Sequence, residues 1–189
     1  MKRIAVFASG SGTNFQSVVD HFRKHDSIEV SLLLCNRADA YVIERAEREN
    51  IPAVVFTRKE FYETDKITGI LRKNKIDFIA LAGFLWLLPP GLISEFEGRI
   101  VNVHPALLPK YGGKGMYGDK VHRSVLESGE KISGITIHCV NEEYDKGSII
   151  FQATCEVLPG DTVETLSARI KELEHKYYPE VIEKLMAEI

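Results

Sequence analysis

The chain has 189 residues, of which 44% are hydrophobic and 27% charged, and it carries a formal net charge of −3. That length fits one domain whose core needs no disulfide or metal staple. A mildly acidic chain with no basic run argues against a duplex nucleic-acid binder, its short apolar start meets Ser and Gly too soon for a secretory signal, and no apolar stretch reaches membrane-spanning length.

Residues 3–8 (RIAVFA) form a continuous apolar run, as in a strand buried on both faces. The turn SGSGTN, residues 9–14, opens a helix with Phe15, Val18, Val19 and Phe22 on one side. Free N–H groups at such a helix start favour an anion, and Gly10 and Gly12 permit close backbone approach; the alternative is a tight turn capped by Thr13. The turn lacks the third glycine and the acidic residue of a dinucleotide fingerprint and the Gly-Lys-Ser/Thr of a P-loop, so a mononucleotide-sized phosphate is favoured. A strand over 28–35, a helix over 39–50, a short strand over 53–56, a charged amphipathic helix over 61–75, and strands over 77–82 and 100–103 follow. This β-α rhythm predicts an α/β fold: a three-layer, mostly parallel, Rossmann-like sheet.

Residues 82–90 (AGFLWLLPP) stay apolar beyond the fourth strand, which suits either a buried helix start or a slot for a flat heterocycle. The chain turns on the next stretch, NVHPALLPKYGGKG, residues 102–115. Asn102 and His104 are two apart on an extended backbone and share a face, and Pro105 takes the chain out of the sheet. An amide donor beside an imidazole suits a reaction that builds negative charge on a carbonyl oxygen, although an isolated N-x-H is more often a turn-closing asparagine and a core histidine.

Further on, the pattern gives a helix over 120–128 and strands over 133–140 and 148–157. Seven residues between those strands are too few for a helical crossover, so they pair antiparallel. Asp161 and Glu164 read as a capping-box variant opening a last helix with Val163, Leu166, Ile170, Leu173 and Tyr177 as its stripe; Pro179 interrupts it before Val181, Ile182 and Leu185 resume the pattern. Asp145, in the loop NEEYDKG, comes near His104 if the hairpin folds back to that sheet end, and a carboxylate there raises an imidazole pKa. The other histidines lack metal-ligand spacing. Cys35, Cys139 and Cys155 are odd in number and far apart, which reads as free thiols in the cytoplasm.

SGSGTN, LAGFLWLL, NVHPALLPKYGGKG, VNEEYDKG and the carboxy-terminal E-H-x-x-Y-P of residues 174–179 together resemble the phosphoribosylglycinamide formyltransferases, a branch of the folate-dependent formyltransferases, over nearly the whole chain. The resemblance implies one formyltransferase domain over 1–189, with a phosphate-binding half over about 1–100 and a catalytic, folate-binding half over about 100–189. It implies transfer of the formyl group of 10-formyltetrahydrofolate, a co-substrate, to the amine of 5′-phosphoribosylglycinamide (GAR) in purine biosynthesis, with no metal. Asn102, a protonated His104 and Asp145 are then the catalytic trio. Gly12, Thr13, Asn14, Lys171 and Glu174 bind the acceptor; Leu85, Trp86, Leu87, Leu88, Asn102, Val140, Asn141, Glu142, Glu143 and Tyr144 wrap the folate. Arg58 or Lys59 is placed nearest the glutamate tail, and the glycine-rich loop over 112–122, with Lys114 and His122, covers the acceptor. The expected partners are these small molecules, with neither nucleic acid nor membrane, in a monomer or homodimer. Methionyl-tRNA formyltransferase and formyltetrahydrofolate hydrolase use related trios but carry an additional domain. A phosphate sensor using the first turn alone needs no meeting of Asn102, His104 and Asp145.

Overall fold

Strand β1 (Lys2–Ala8) is buried on both faces and sends alternate side chains into two different cores. Ile4, Val6 and Ala8 join one core and Ala5 and Phe7 the other, as the two-residue period of a strand requires. Residues 1–189 are all described in this computed structural model.

Helix α1 (Thr13–Phe22) buries Phe15, Val18, Val19 and Phe22 on the first core. Next come β2 (Ile28–Cys35), α2 (Val42–Arg48) and β3 (Ala53–Val55). The single helix expected over 61–75 is two, α3 (Arg58–Tyr62) and α4 (Lys66–Lys73). Thr57 and Glu60 form a capping box that starts α3 early, and the helix ends at Glu63. After β4 (Phe78–Leu81), a short helix α5 (Pro90–Glu95) starts on a proline, whose missing N–H costs nothing in a first turn. It is followed by β5 (Ile100–His104), α6 (Asp119–Glu127), β6 (Ile132–Cys139), β7 (Ile149–Glu156) and α7 (Val163–Ala187).

The strands form one seven-stranded sheet in the order β3-β2-β1-β4-β5-β6-β7. The first five are mutually parallel, and β6–β7 is antiparallel as the short connection requires. β6 also pairs antiparallel with β5, placing His138 opposite Asn102 and Thr136 opposite His104. Thr136 then holds the departing chain: its hydroxyl donates to the Ala106 carbonyl at 2.7 Å and accepts the Leu108 N–H at 3.0 Å.

Two expectations about α7 fail. Its N-cap is Thr162, boxed with Thr165 rather than Asp161 with Glu164; Asp161 is taken by the Leu158 N–H and by Arg169. Pro179 does not interrupt the helix, which runs through it for 25 residues. A proline there forfeits one backbone hydrogen bond and costs about 3 kcal/mol. The surrounding helix buries Ile170, Tyr178, Val181, Ile182 and Met186, enough apolar surface to offset that. Tyr178 is fully buried, and its hydroxyl reaches the carbonyls of Leu81 at 2.9 Å and Val101 at 3.1 Å, tying α7 to the site-bearing ends of β4 and β5.

Candidate active site

A cleft of about 610 Å³ runs along the carboxyl ends of β1, β4 and β5, where ligands of open α/β sheets bind. Its lining includes Gly12, Thr13, Asn14, residues 85–88, Asn102, His104, Val140, Asn141, Glu143, Tyr144, Asp145, Lys171 and Glu174. Of the expected residues, Glu142, exposed on the hairpin loop, is outside it, as are Arg58 and Lys59.

Asn102, His104 and Asp145 meet. Asp145 Oδ2 lies 3.6 Å from His104 Nδ1, and its Oδ1 lies 3.5 Å from Asn102 Nδ2. Asp145 takes a left-handed backbone, φ 56°, strained for a residue with a side chain. The Gly113 N–H donates to its Oδ2 at 2.9 Å. Gly112 makes that approach feasible, since a Cβ there would come within 2.4 Å of Leu108 and 3.2 Å of the Asp145 Cβ.

Sequence reasoning missed His138. Its Nδ1 donates to the Cys139 carbonyl at 2.8 Å, which leaves Nε2 to accept from Asn102 Nδ2 at 3.1 Å. Nε2 also lies 3.5 Å from Asp145 Oδ1. The signal was the antiparallel register of β5 and β6, which local periodicity does not give. His138 orients the Asn102 amide; the longer contact to Asp145 leaves the other Asn102 N–H weakly held and free to turn to a new acceptor.

His104 is buried, and its Nε2 donates to the Tyr111 carbonyl at 2.7 Å, leaving Nδ1 without a hydrogen-bond partner. Burial pushes its pKa below the ordinary imidazole value; the Asp145 charge and the Tyr111 carbonyl oppose that shift without cancelling it, and His138 adds to it. Desolvation thus works against the charged form of His104 that the Asp145 carboxylate favours. Burial also works to raise Asp145, but the close His138 and His104 imidazoles and the Gly113 N–H outweigh it and hold the carboxyl below its usual range.

At the other end of the cleft, α1 begins at Gly12 with φ 73°, no side-chain cap and no acidic residue in its first turn. Gly12 packs so closely on Val42 that a Cβ would sit 2.4 Å from that side chain. The capping role weighed for Thr13 is absent, so the first N–H groups of α1 keep no partner from a side chain. Asn14 Nδ2 donates to Glu174 Oε2 at 2.9 Å, while Asn14 Oδ1 is buried with no partner. Burial raises Glu174 to about 7 against the pull of Asn14 and Lys171, so Glu174 is no solvated helix residue; Lys171 is exposed.

The segment after β4 presents a one-sided edge. Ser9 Oγ accepts the Leu85 N–H at 3.1 Å and Tyr62 donates to the Leu87 carbonyl at 2.8 Å. The Trp86 backbone groups and the Leu88 N–H have no partner, which suits the edge of a heterocycle. Arg58 stacks over Trp86 at 5.7 Å and Tyr62 at 5.1 Å, outside the lining proper. His122 lines the cleft, buried, with Nδ1 unpartnered. No group of three or more His, Cys, Asp or Glu is placed to hold a metal ion.

A raised carboxyl pKa stabilises the fold below its unfolded value, and that contribution is lost as pH rises through the folded value. For Glu174 the loss falls between 4.5 and about 7 and amounts to on the order of 3 kcal/mol. Glu174→Gln is therefore expected to be more stable than wild type at pH 8 and equal to it at pH 4.5 in urea unfolding. The same pH dependence in both proteins would contradict this.

The family described as formyl transferase matches residues 2–182. The chain is 45% identical to the chloroplastic phosphoribosylglycinamide formyltransferase of Arabidopsis thaliana over 96% of this chain and 64% of that one. It is 40% identical to the phosphoribosylglycinamide formyltransferase of Haemophilus influenzae over 96% and 86%. It spans under two-thirds of the length of the plant relatives, 64% and 62%. The crystal structure of glycinamide ribonucleotide transformylase 1 from Geobacillus kaustophilus superposes with a TM-score of 0.88 at 44% identity, covering 98% of each chain.

Proposed function

The chain belongs to the formyl transferase family, and on that footing we propose that it transfers the formyl group of 10-formyltetrahydrofolate to the amine of GAR, giving formyl-GAR and tetrahydrofolate in purine biosynthesis. The observation that carries this reading is one cleft with two chemically distinct ends. The Asn102, His104 and Asp145 cluster lies at one, and the uncapped start of α1 with Asn14, Lys171 and Glu174 lies at the other.

In this reading the acceptor phosphate sits on the N–H groups from Gly12 to Asn14 with Lys171 nearby, and Glu174 and Asn14 hold its hydroxyl and amide groups. Residues 85–88 and 140–144 flank the heterocycle of the donor. The acceptor amine adds to the formyl carbon, and the carbonyl electron pair moves to oxygen. The loosely held Asn102 N–H turns to that oxyanion. His104, neutral at rest, takes the proton released by the amine on its open Nδ1, and the imidazolium so formed is stabilised by Asp145. The oxyanion then collapses, the bond to the folate nitrogen breaks, and that nitrogen takes the proton back from His104. No covalent enzyme intermediate is needed. A protonated His104 thus belongs to the intermediate, not the resting enzyme. A cytoplasmic location and a monomer or homodimer complete the proposal; no helix is long and apolar enough to cross a membrane.

Tetrahydrofolate release from 10-formyltetrahydrofolate, followed with and without GAR, tests the reading. Release that needs GAR is expected. Release without GAR would indicate a hydrolase, and no release under either condition would leave only a phosphate-binding protein.

A further inference from the structure

We infer that Arg45 is a positioning residue for the acceptor phosphate, acting through the Ser11 carbonyl; the inference rests on the acceptor site proposed above. Arg45 lies on α2, outside the cleft lining, and its Nε donates to the Ser11 carbonyl at 2.8 Å. A trans peptide points its C=O and N–H in opposite directions. Holding the Ser11 carbonyl toward α2 therefore aims the Gly12 N–H away from it. The charged donor also polarises that peptide and makes its N–H a stronger donor. A second bond fixes the same turn to the same helix, the Val42 N–H donating to the Gly10 carbonyl at 3.1 Å. Gly12 has no room to shift against Val42.

The charge of Arg45 is met only at a distance, by the Asp20 carboxylate. Arg45 stacks on the Tyr41 ring at 5.2 Å and forms no ion pair, unlike Arg48 one turn on, which pairs with Glu44. Its field reaches α7: after burial and Lys171, Arg45 is the third influence holding His175 in its neutral form. Two cations on different helices, Arg45 on α2 and Lys171 on α7, flank the start of α1, where the first turn offers unpaired N–H groups and carries no acid of its own, and burial pushes the one carboxyl that reaches it, Glu174, toward its neutral form. A dianion is the ligand that this field suits.

The test compares wild type, Arg45→Met and Arg45→Lys with GAR and with its dephosphorylated form, at saturating formyl donor. Arg45→Met is expected to raise the KM for GAR about tenfold, the loss of one hydrogen bond to a charged donor. Its kcat and donor KM stay near wild type, its kinetics with the dephosphorylated acceptor match those of wild type, and Arg45→Lys recovers most of the loss. An equal loss with both acceptors, a fall in kcat alone, or no change in KM for GAR would overturn the inference. Wild type that turns over neither acceptor would remove the proposed function, and this inference with it.

Discussion

His104→Ala and His104→Gln are both expected to lose formyl transfer by roughly 10³-fold, the usual worth of a positioned acid–base group. The pair of variants separates chemistry from packing. His104 is buried and its Nε2 satisfies the Tyr111 carbonyl, so Ala leaves a cavity and an unpaired acceptor. Gln keeps an N–H donor for that carbonyl but has no nitrogen to titrate. Circular dichroism and thermal melts should show both folded, with Gln the more stable. Transfer by His104→Gln within tenfold of wild type would show that the ring serves packing alone.

Asp145→Asn is expected to lose on the order of 10³-fold in kcat, as when a carboxylate orienting a catalytic histidine is neutralised. Asparagine tolerates the left-handed backbone that Asp145 adopts, so the loop should keep its shape. The pH profile carries the sharper signature. If neutral His104 is the proton acceptor, kcat/KM falls as pH drops through the His104 pKa. The Asp145 charge raises that pKa while burial lowers it. Removing the charge leaves burial opposed only by the Tyr111 carbonyl, so the acid limb should move to lower pH. The acceptor amine titrates identically with both enzymes and cancels in the comparison. A limb that moves to higher pH would contradict the assignment.

The layered α/β order was legible in the sequence because buried parallel strands are near-continuous apolar runs, as at residues 3–8 and 77–82. Asn102 and His104 were legible as well, since a two-residue spacing followed by proline fixes both the shared face and the sheet exit. His138 was not, because its part depends on pairing between β5 and β6, 36 residues apart, and local periodicity carries no register. The burial of His104 was not legible for a related reason: the sequence names a carboxylate partner that favours the charged ring but not the desolvation that opposes it. Pro179 was misread because packing around Tyr178 and Ile182 overrides a local breaker. Glu174 was singled out by the resemblance, but its burial was not legible, because the Asn14 side chain that holds its carboxyl comes from 160 residues away.

The most direct measurement follows the labelled carbon of 10-[13C]formyltetrahydrofolate through a single turnover with GAR present. The label is expected to move to the acceptor nitrogen as an amide, one for each tetrahydrofolate formed, and to stay on the folate with His104→Gln. Label recovered as free formate, or transfer by His104→Gln at the wild-type rate, would contradict this.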